Sequence, residues 1–247
     1  MLAIDQGTTS SRAILFDEKL TIVAEAQQEI EQIFPRPGWV EHDPEDIWSS
    51  VINVCKKVIL ASGVNANTIV SVGITNQRET TIVWDKNTGK PIYNAIVWQD
   101  RRTEGICKNL RAHNLQDEII ERTGLLLDPY FSGTKIAWLL DNVEGARDKA
   151  ENGSLLFGTI DTFLVWRLTK GKSHVTDATN ASRTMLYNLE LGEWDDTLFK
   201  ILGVPLCVMP RIMDSASDFG IVDPSIFGLK IPIRGLVGDQ QAALIGQ

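Results

Sequence analysis

The 247-residue sequence has few of the side chains that staple or metallate a small protein. Its three cysteines, Cys55, Cys107 and Cys207, are odd in number and far apart, which excludes a disulfide framework and any short-spaced zinc motif. The three histidines are equally scattered, so a histidine-built metal site is not expected. A reducing, cytoplasmic setting is the simple expectation. Positive charge is scarce: 24 Lys and Arg against 32 Asp and Glu leave a net charge of −8. That balance speaks against a nucleic-acid groove, which needs a basic face, but it leaves room for an anion held by a few local donors. No apolar run approaches the roughly 20 residues of a membrane span, so no membrane insertion is expected. The opening Met1-Leu2-Ala3-Ile4-Asp5 lacks the basic and apolar regions of a signal peptide. A Walker A loop is missing too. Gly171-Lys172-Ser173 has the tail of one, but Trp166 stands where the leading glycine belongs.

What is present reads as α/β. Hydrophobic residues make up 43% of the chain, enough for a core without staples. Leu2-Ala3-Ile4, Arg12–Phe16 and Ile22–Ile33 are apolar runs separated by turn-rich residues, the pattern of three strands. Asp43 then offers an N-cap, Pro44 a first helical position, and Ile47, Val51, Val54, Cys55, Val58 and Ile59 recur at helical spacing. Strands are expected over 69–75, 80–84 and 231–237, and helices over 102–112, 132–142, 159–168, 194–202 and 240–246. Strands and helices alternate without repeat, low-complexity tract or linker, so a single domain over 1–247 is expected.

Three strand ends carry candidate chemistry. Asp5-Gln6-Gly7-Thr8-Thr9-Ser10-Ser11-Arg12 is an acidic strand end followed by a hydroxyl-rich turn. Its N–H groups and hydroxyls suit phosphate oxygens, and Asp5 suits a hydrated Mg²⁺. A plain hairpin turn uses the same residue types. Asn76-Gln77-Arg78-Glu79 follows the strand 69–75; Arg donates and Glu accepts, which suits a polyol, although a solvated loop with a surface ion pair would look alike. Asp239 ends the strand 235–238 and opens a helix. In α/β sheets ligands sit beyond the carboxyl ends of strands, so Asp5 and Asp239 could face one cleft; a helix N-cap is the other reading of Asp239. Trp98 and Tyr130 could stack on the carbon edge of a small polyol, or pack in the core.

Together with Pro37–Pro44, Gly73–Thr80, Tyr93–Arg102, Asp128–Ser132, Thr176–Thr184 and Gly238–Ala243, these segments resemble the FGGY carbohydrate kinases along nearly the whole chain. Within that family the resemblance is to members acting on glycerol, because Asn-Gln-Arg-Glu is not shared by the other sugar kinases. It implies an actin-like, ribonuclease-H-like domain, a mixed sheet flanked by helices, and transfer of a phosphoryl group from MgATP to a polyol hydroxyl. By resemblance, Arg78, Glu79, Trp98, Tyr130, Asp239 and Gln240 contact glycerol, and Asp239 is the general base. Thr8, Thr9, Ser10 and Arg12 contact the phosphates, and Asp5 with Asp239 is linked to Mg²⁺. The resemblance also implies a missing C-terminal domain with most of the ATP/ADP contacts, a homo-oligomer in the full-length form, and little activity for this half alone. The alternatives are a non-catalytic polyol- or phosphate-binding module and half of another FGGY sugar kinase. Phe227-Gly228-Leu229-Lys230-Ile231 replaces a glycine-rich loop tied in some members to sugar-bisphosphate inhibition. No histidine lies in 220–235, so neither that control nor phosphohistidine control is expected.

Overall fold

A computed structural model describes residues Met1–Gln247. In chain order the strands β1 (Leu2–Gln6), β2 (Ser10–Phe16), β3 (Ile22–Glu29) and β4 (Glu41–His42) lead into helix α1 (Pro44–Ala61). Next come β5 (Val72–Asn76), β6 (Ile82–Asp85), β7 (Ala95–Ile96), α2 (Glu104–Ala112), α3 (Gln116–Thr123), α4 (Ser132–Asn142) and α5 (Ala146–Glu151). Then follow β8 (Leu155–Gly158), α6 (Ile160–Leu168), β9 (Val175–Asp177), α7 (Ala178–Ala181), β10 (Tyr187–Asn188), β11 (Glu193–Trp194) and α8 (Asp196–Leu202). The last elements are β12 (Arg211–Met213), β13 (Ile221–Val222), α9 (Pro224–Phe227), β14 (Ile231–Gly238) and α10 (Asp239–Gly246).

The main sheet has the order β13-β14-β5-β1-β2-β3. β1, β5 and β14 are mutually parallel; β2 and β3 continue antiparallel from β1, and β13 closes the other edge antiparallel. Period-two burial explains the placement of the first strands. Leu2, Ile4 and Gln6 are buried while Asp5 stays exposed, and Ser11, Ala13 and Leu15 are buried on β2. Helix α1 starts as its sequence dictates: the Asp43 carboxylate accepts from the Glu45 N–H at 2.8 Å, and Pro44 occupies the first turn. Its Ile47, Val51, Val54, Cys55 and Val58 share one core with the sheet and with Ile160, Phe163, Leu164 and Leu168 of α6.

A second core is built from helices α2 to α5 and α8, with Cys107, Ile119, Leu127, Ile136, Leu139, Leu140, Leu198 and Leu202 among its members. The short β6–β8 pair stands between the two cores. Its alternation divides them: Ile82, Trp84 and Leu156 face the first core, Val83, Leu155 and Phe157 the second. Both faces are therefore apolar, and no polar alternation marks β8 in the sequence.

The structure shifts several boundaries. The third strand stops at Glu29 rather than Ile33, and the strand expected over 69–75 begins at Val72, after a 3₁₀ turn over Ala66–Thr68. The helix expected from 194 starts at Asp196, because the Asp195 carboxylate caps it by accepting from the N–H groups of Thr197 and Leu198. Helices α3 and α5 and strands β8, β9 and β12 were not expected. They are short and take their places from tertiary packing.

Candidate functional site

Residues Gln6, Asn76 and Gly238 lie in one row across the ends of the three parallel strands. Whatever follows them projects from the carboxyl edge of the sheet. There the structure brings together Asp5, the 7–10 turn, Arg78, Glu79, Asp239 and Gln240, as the sequence led one to expect. Asp5 pairs with Arg12 in the β1–β2 register. Although Asp5 is exposed at its edge, the protein around it displaces part of its water and lifts its carboxyl above the ordinary value, Arg12 pulls it back, and the negative charge of Asp239 raises it again. The two carboxylates therefore sense each other across the strand ends.

Asn76, Gln77, Arg78 and Glu79 are all buried, which rules out the solvated-loop reading. They do not share one task. Asn76 donates to Asn180 Oδ1 at 2.9 Å, and the Gln77 amide donates to Gln6 Oε1 at 3.1 Å and to the Gly7 carbonyl at 3.2 Å. These two brace the scaffold. Arg78 and Glu79 serve the open face. Arg78 donates from Nη2 to Gln240 Oε1 at 2.6 Å and sets Nε 3.3 Å from Asp239 Oδ1. Gly238 is what lets Arg78 pass: a Cβ there would lie 2.3 Å from Arg78 Cδ. The Glu79 carboxylate accepts from Arg183 Nε at 2.7 Å. Burial raises the Glu79 carboxyl, while Arg183, Arg78 and Lys135 hold it down. Its backbone has φ 59°, a left-handed conformation that costs a side-chain-bearing residue energy and persists only where the surroundings over-determine it.

The N-cap reading of Asp239 does not hold. Gly238 occupies the cap position without a side-chain bond, and Asp239 is the first helical residue. Its carboxylate accepts from the adjacent Gln240 N–H at 2.8 Å and stays about half exposed, with a side-chain accessibility of 46%. It is thus free to meet a ligand hydroxyl.

The aromatic pair borders this face with both rings half-buried, and Tyr130 also packs against the helical core. Trp98 and Tyr130 meet edge to face with ring centroids 5.5 Å apart. Trp98 donates from Nε1 to Thr8 Oγ1 at 2.9 Å, which joins the aromatic wall to the hydroxyl-rich turn. That turn is a tight hairpin, with Gly7 N–H donating to the Ser10 carbonyl at 2.9 Å, as the plain hairpin reading expects. Gln27 orders its far side by donating to Ser10 Oγ at 2.8 Å and accepting from Arg12 at 3.0 Å. Thr9 stands exposed at the tip.

Sequence reasoning gave no role to several residues that complete the face. Thr179 Oγ1 accepts from the Gly238 N–H at 2.7 Å, Asn180 holds Asn76, Arg183 holds Glu79, and Lys135 reaches the Glu79 carbonyl at 3.2 Å. All come from distant segments, so only the quoted Thr176–Thr184 run hinted at three of them. Thr75 Oγ1 and Gln241 Oε1 are buried here without a hydrogen-bond partner, and Arg78 Nε has only the 3.3 Å approach of Asp239 Oδ1. Buried polar atoms left this way call for a water or ligand partner.

The residues suit a divalent cation of one kind. No group of three or more His, Cys, Asp or Glu side chains gathers as a metal cage. Two carboxylates beside a hydroxyl-rich turn instead fit Mg²⁺ of the kind that arrives on a nucleotide, since Mg²⁺ keeps waters and uses one or two carboxylates with substrate phosphates. A cavity of about 1410 Å³ lies elsewhere, lined by Asp43, Glu45, Trp48, Trp166, Arg167 and His174 among others. None of the residues singled out in the sequence as site candidates lines it.

The family model described as the FGGY family of carbohydrate kinases, N-terminal domain, matches residues 1–246. Glycerol kinase from Marinomonas sp. (strain MWYL1) is 62% identical over the whole chain, and that from Rhizobium rhizogenes (strain K84 / ATCC BAA-868) is 60% identical. In both cases the match covers 50% of the relative, so the chain spans about half the length of these proteins. The crystal structure of Plasmodium falciparum glycerol kinase with ADP superposes with a TM-score of 0.95 at 41% identity, covering 99% of this chain and 49% of that one. Xylulose kinase from Lactobacillus acidophilus shares the fold at 22% identity, with a TM-score of 0.87 over 99% of this chain and 49% of its own. The mixed sheet with flanking helices is thus the actin-like, ribonuclease-H-like fold of these kinases.

Proposed function

The chain belongs to the FGGY family of carbohydrate kinases, as an N-terminal domain, and from that premise we propose that it is the polyol-binding half of an ATP-dependent glycerol kinase. The observation that carries this reading is the meeting of Arg78, Glu79, Asp239 and Gln240 with Asp5 at the carboxyl ends of three parallel strands. Glu79 accepts from substrate hydroxyls and Arg78 donates to them. Trp98 and Tyr130 lie along the carbon edge. Asp239, half exposed beside the guanidinium of Arg78, orients the attacking hydroxyl and takes its proton late, as suits a loose phosphoryl-transfer transition state.

Thr8, Thr9, Ser10 and Arg12 cradle the phosphates of ATP on the other side of the same edge. Mg²⁺ held near Asp5 and Asp239 would neutralise charge on those phosphates. The bond between Trp98 and Thr8 ties the polyol wall to the phosphate turn and sets their spacing. The remaining nucleotide contacts fall to a C-terminal half. All three cysteines are free thiols, which fits the reducing cytoplasm.

An ADP-coupled assay of a full-length protein carrying this domain tests the reading, with glycerol, xylulose and gluconate as acceptors. Turnover with glycerol well above the other two is the expected result. Preference for xylulose or gluconate would make it a different sugar kinase, and no turnover with any acceptor would leave a binding module.

A further inference from the structure

Lys135 is the one lysine whose side chain is wholly buried, and the proposed chemistry makes no use of it. It stands in the first turns of helix α4, where the positive end of the helix dipole disfavours a cation. No carboxylate lies within ion-pair distance of it. Its partners are two main-chain carbonyls: Tyr130 at 2.7 Å and Glu79 at 3.2 Å. Burial pushes its ammonium down to about 7, against the pull of Glu79, Asp100 and Asp128 and with the repulsion of Arg102. A lysine kept fully inside is rare unless it is paired, and a core-filling role would be served better by an apolar side chain.

The two carbonyls belong to residues that the proposed function sets against the polyol. Glu79 supplies the carboxylate that accepts hydroxyls, and Tyr130 forms half of the aromatic wall. The Glu79 carbonyl receives Ser132 Oγ at 3.1 Å and Thr81 Oγ1 at 3.0 Å besides Lys135, and these donors over-determine its left-handed backbone. The base of the clamp is rigid. A Cβ at Gly133 would lie 2.7 Å from both the Thr184 carbonyl oxygen and Leu202 Cδ1, so the start of α4 is seated hard against its neighbours.

We propose that Lys135 is a positioning residue that sets acceptor size: by tying the backbone of Glu79 to that of Tyr130 it fixes the gap between carboxylate and aromatic wall, and so favours a three-carbon polyol over longer ones. This rests on the polyol reading of the site. With the tie cut, the gap widens, glycerol loses its fit, and longer polyols gain relative to it. A general loss of stability would instead depress every acceptor alike.

The test uses the full-length protein, with glycerol, erythritol and ribitol as acceptors. In Lys135→Met the glycerol KM should rise by about tenfold or more, because misplacing a binding group by an ångström is felt strongly. The KM for ATP should stay within about twofold, and the glycerol-to-ribitol ratio of kcat/KM should fall by about tenfold, the scale of discrimination carried by one methylene in a pocket. Lys135→Arg should restore part of that ratio. Ser132→Ala, a milder cut at the same carbonyl, should lower the ratio in the same direction, and it decides the matter if Lys135→Met does not fold. An unchanged ratio in the folded variants, with kcat/KM reduced equally for all acceptors, overturns the inference while leaving the functional reading intact. A wild type that phosphorylates no polyol overturns the functional reading, and this inference with it.

Discussion

The sheet core and the helical core do different work at the site they share. From the sheet come Asp5, the 7–10 turn, Arg78 and Asp239, all placed by the register of strands that run to a common edge. From the helical side come Tyr130, Lys135 and Arg183, placed by packing around α4 and α7. Glu79 lies where the two meet: its chain leaves β5 on the sheet side, and its carboxylate and carbonyl are held from the helical side. In the function proposed above, the carboxylates and the hydroxyl-rich turn therefore rest on a register that a strand cannot shift without turning its side chains over, whereas the aromatic wall and the hold on Glu79 rest on a packed layer that can vary its spacing.

The sharpest way to break that division is Asp239→Asn. On the sheet side a lost proton acceptor should collapse kcat by about 10²–10⁴. Because Gly238 and not Asp239 caps α10, the melting temperature should stay near wild type. A variant with near-normal kcat would remove Asp239 from the chemistry. Next in size is Glu79→Gln at the meeting point. A weakened acceptor for buried hydroxyls costs about 1–3 kcal/mol, so the glycerol KM should rise while the KM for ATP hardly moves. Equal shifts in both constants would show that the two regions are not separable there.

Arg12→Ala tests the sheet side from the nucleotide's direction. Loss of one charge-assisted contact should raise the KM for ATP by about tenfold, leaving glycerol binding, read by titration of tryptophan fluorescence, nearly unchanged. A matching loss of glycerol affinity would point to a damaged hairpin. The smallest effect concerns the seam between the cores, where His174 Nε2 donates to the Phe157 carbonyl at 2.7 Å and the ring packs edge-on against Trp84. Burial lowers His174 from 6.5 to about 4. Below 6.5 the unfolded chain binds the proton more readily than the folded one, so stability present at neutral pH is lost progressively as pH falls toward about 4. Denaturant titrations should show a loss on the order of 1 kcal/mol between about pH 7 and pH 5, flattened in His174→Gln. An equal slope in both proteins would clear His174 of that role.

Local signals made the sheet side easy to read. Period-two burial in β1 and β2, the Asp43-Pro44 helix start and the acidic strand ends are properties of neighbouring residues, and they led to Asp5 and Asp239 directly. The helical side was only partly legible. Helix α4 was expected where it lies, over 132–142, yet nothing local marks Lys135 as buried or aims it at the carbonyls of Glu79 and Tyr130. Trp98 and Tyr130 read as core or as site because an aromatic residue suits both; the structure bonds Trp98 to Thr8 and sets Tyr130 between Trp98 and the helical core.

By itself the sequence determined the α/β class, the strand-end carboxylates, the hydroxyl-rich turn and, through six ordered motifs, the family. Hydrophobic period, turn chemistry and capping act within a few residues, so they can be read along the chain. Only the tertiary structure decided that Asn76 and Gln77 brace the scaffold while Arg78 meets Asp239 and Gln240, that Gly238 takes the cap, and that Arg183 and Lys135 hold Glu79 from across the domain. Those decisions depend on groups separated by as many as 162 residues meeting within 3 Å. Burial then makes every unpaired polar group costly, so the partners are chosen by the packed three-dimensional arrangement and leave no local trace.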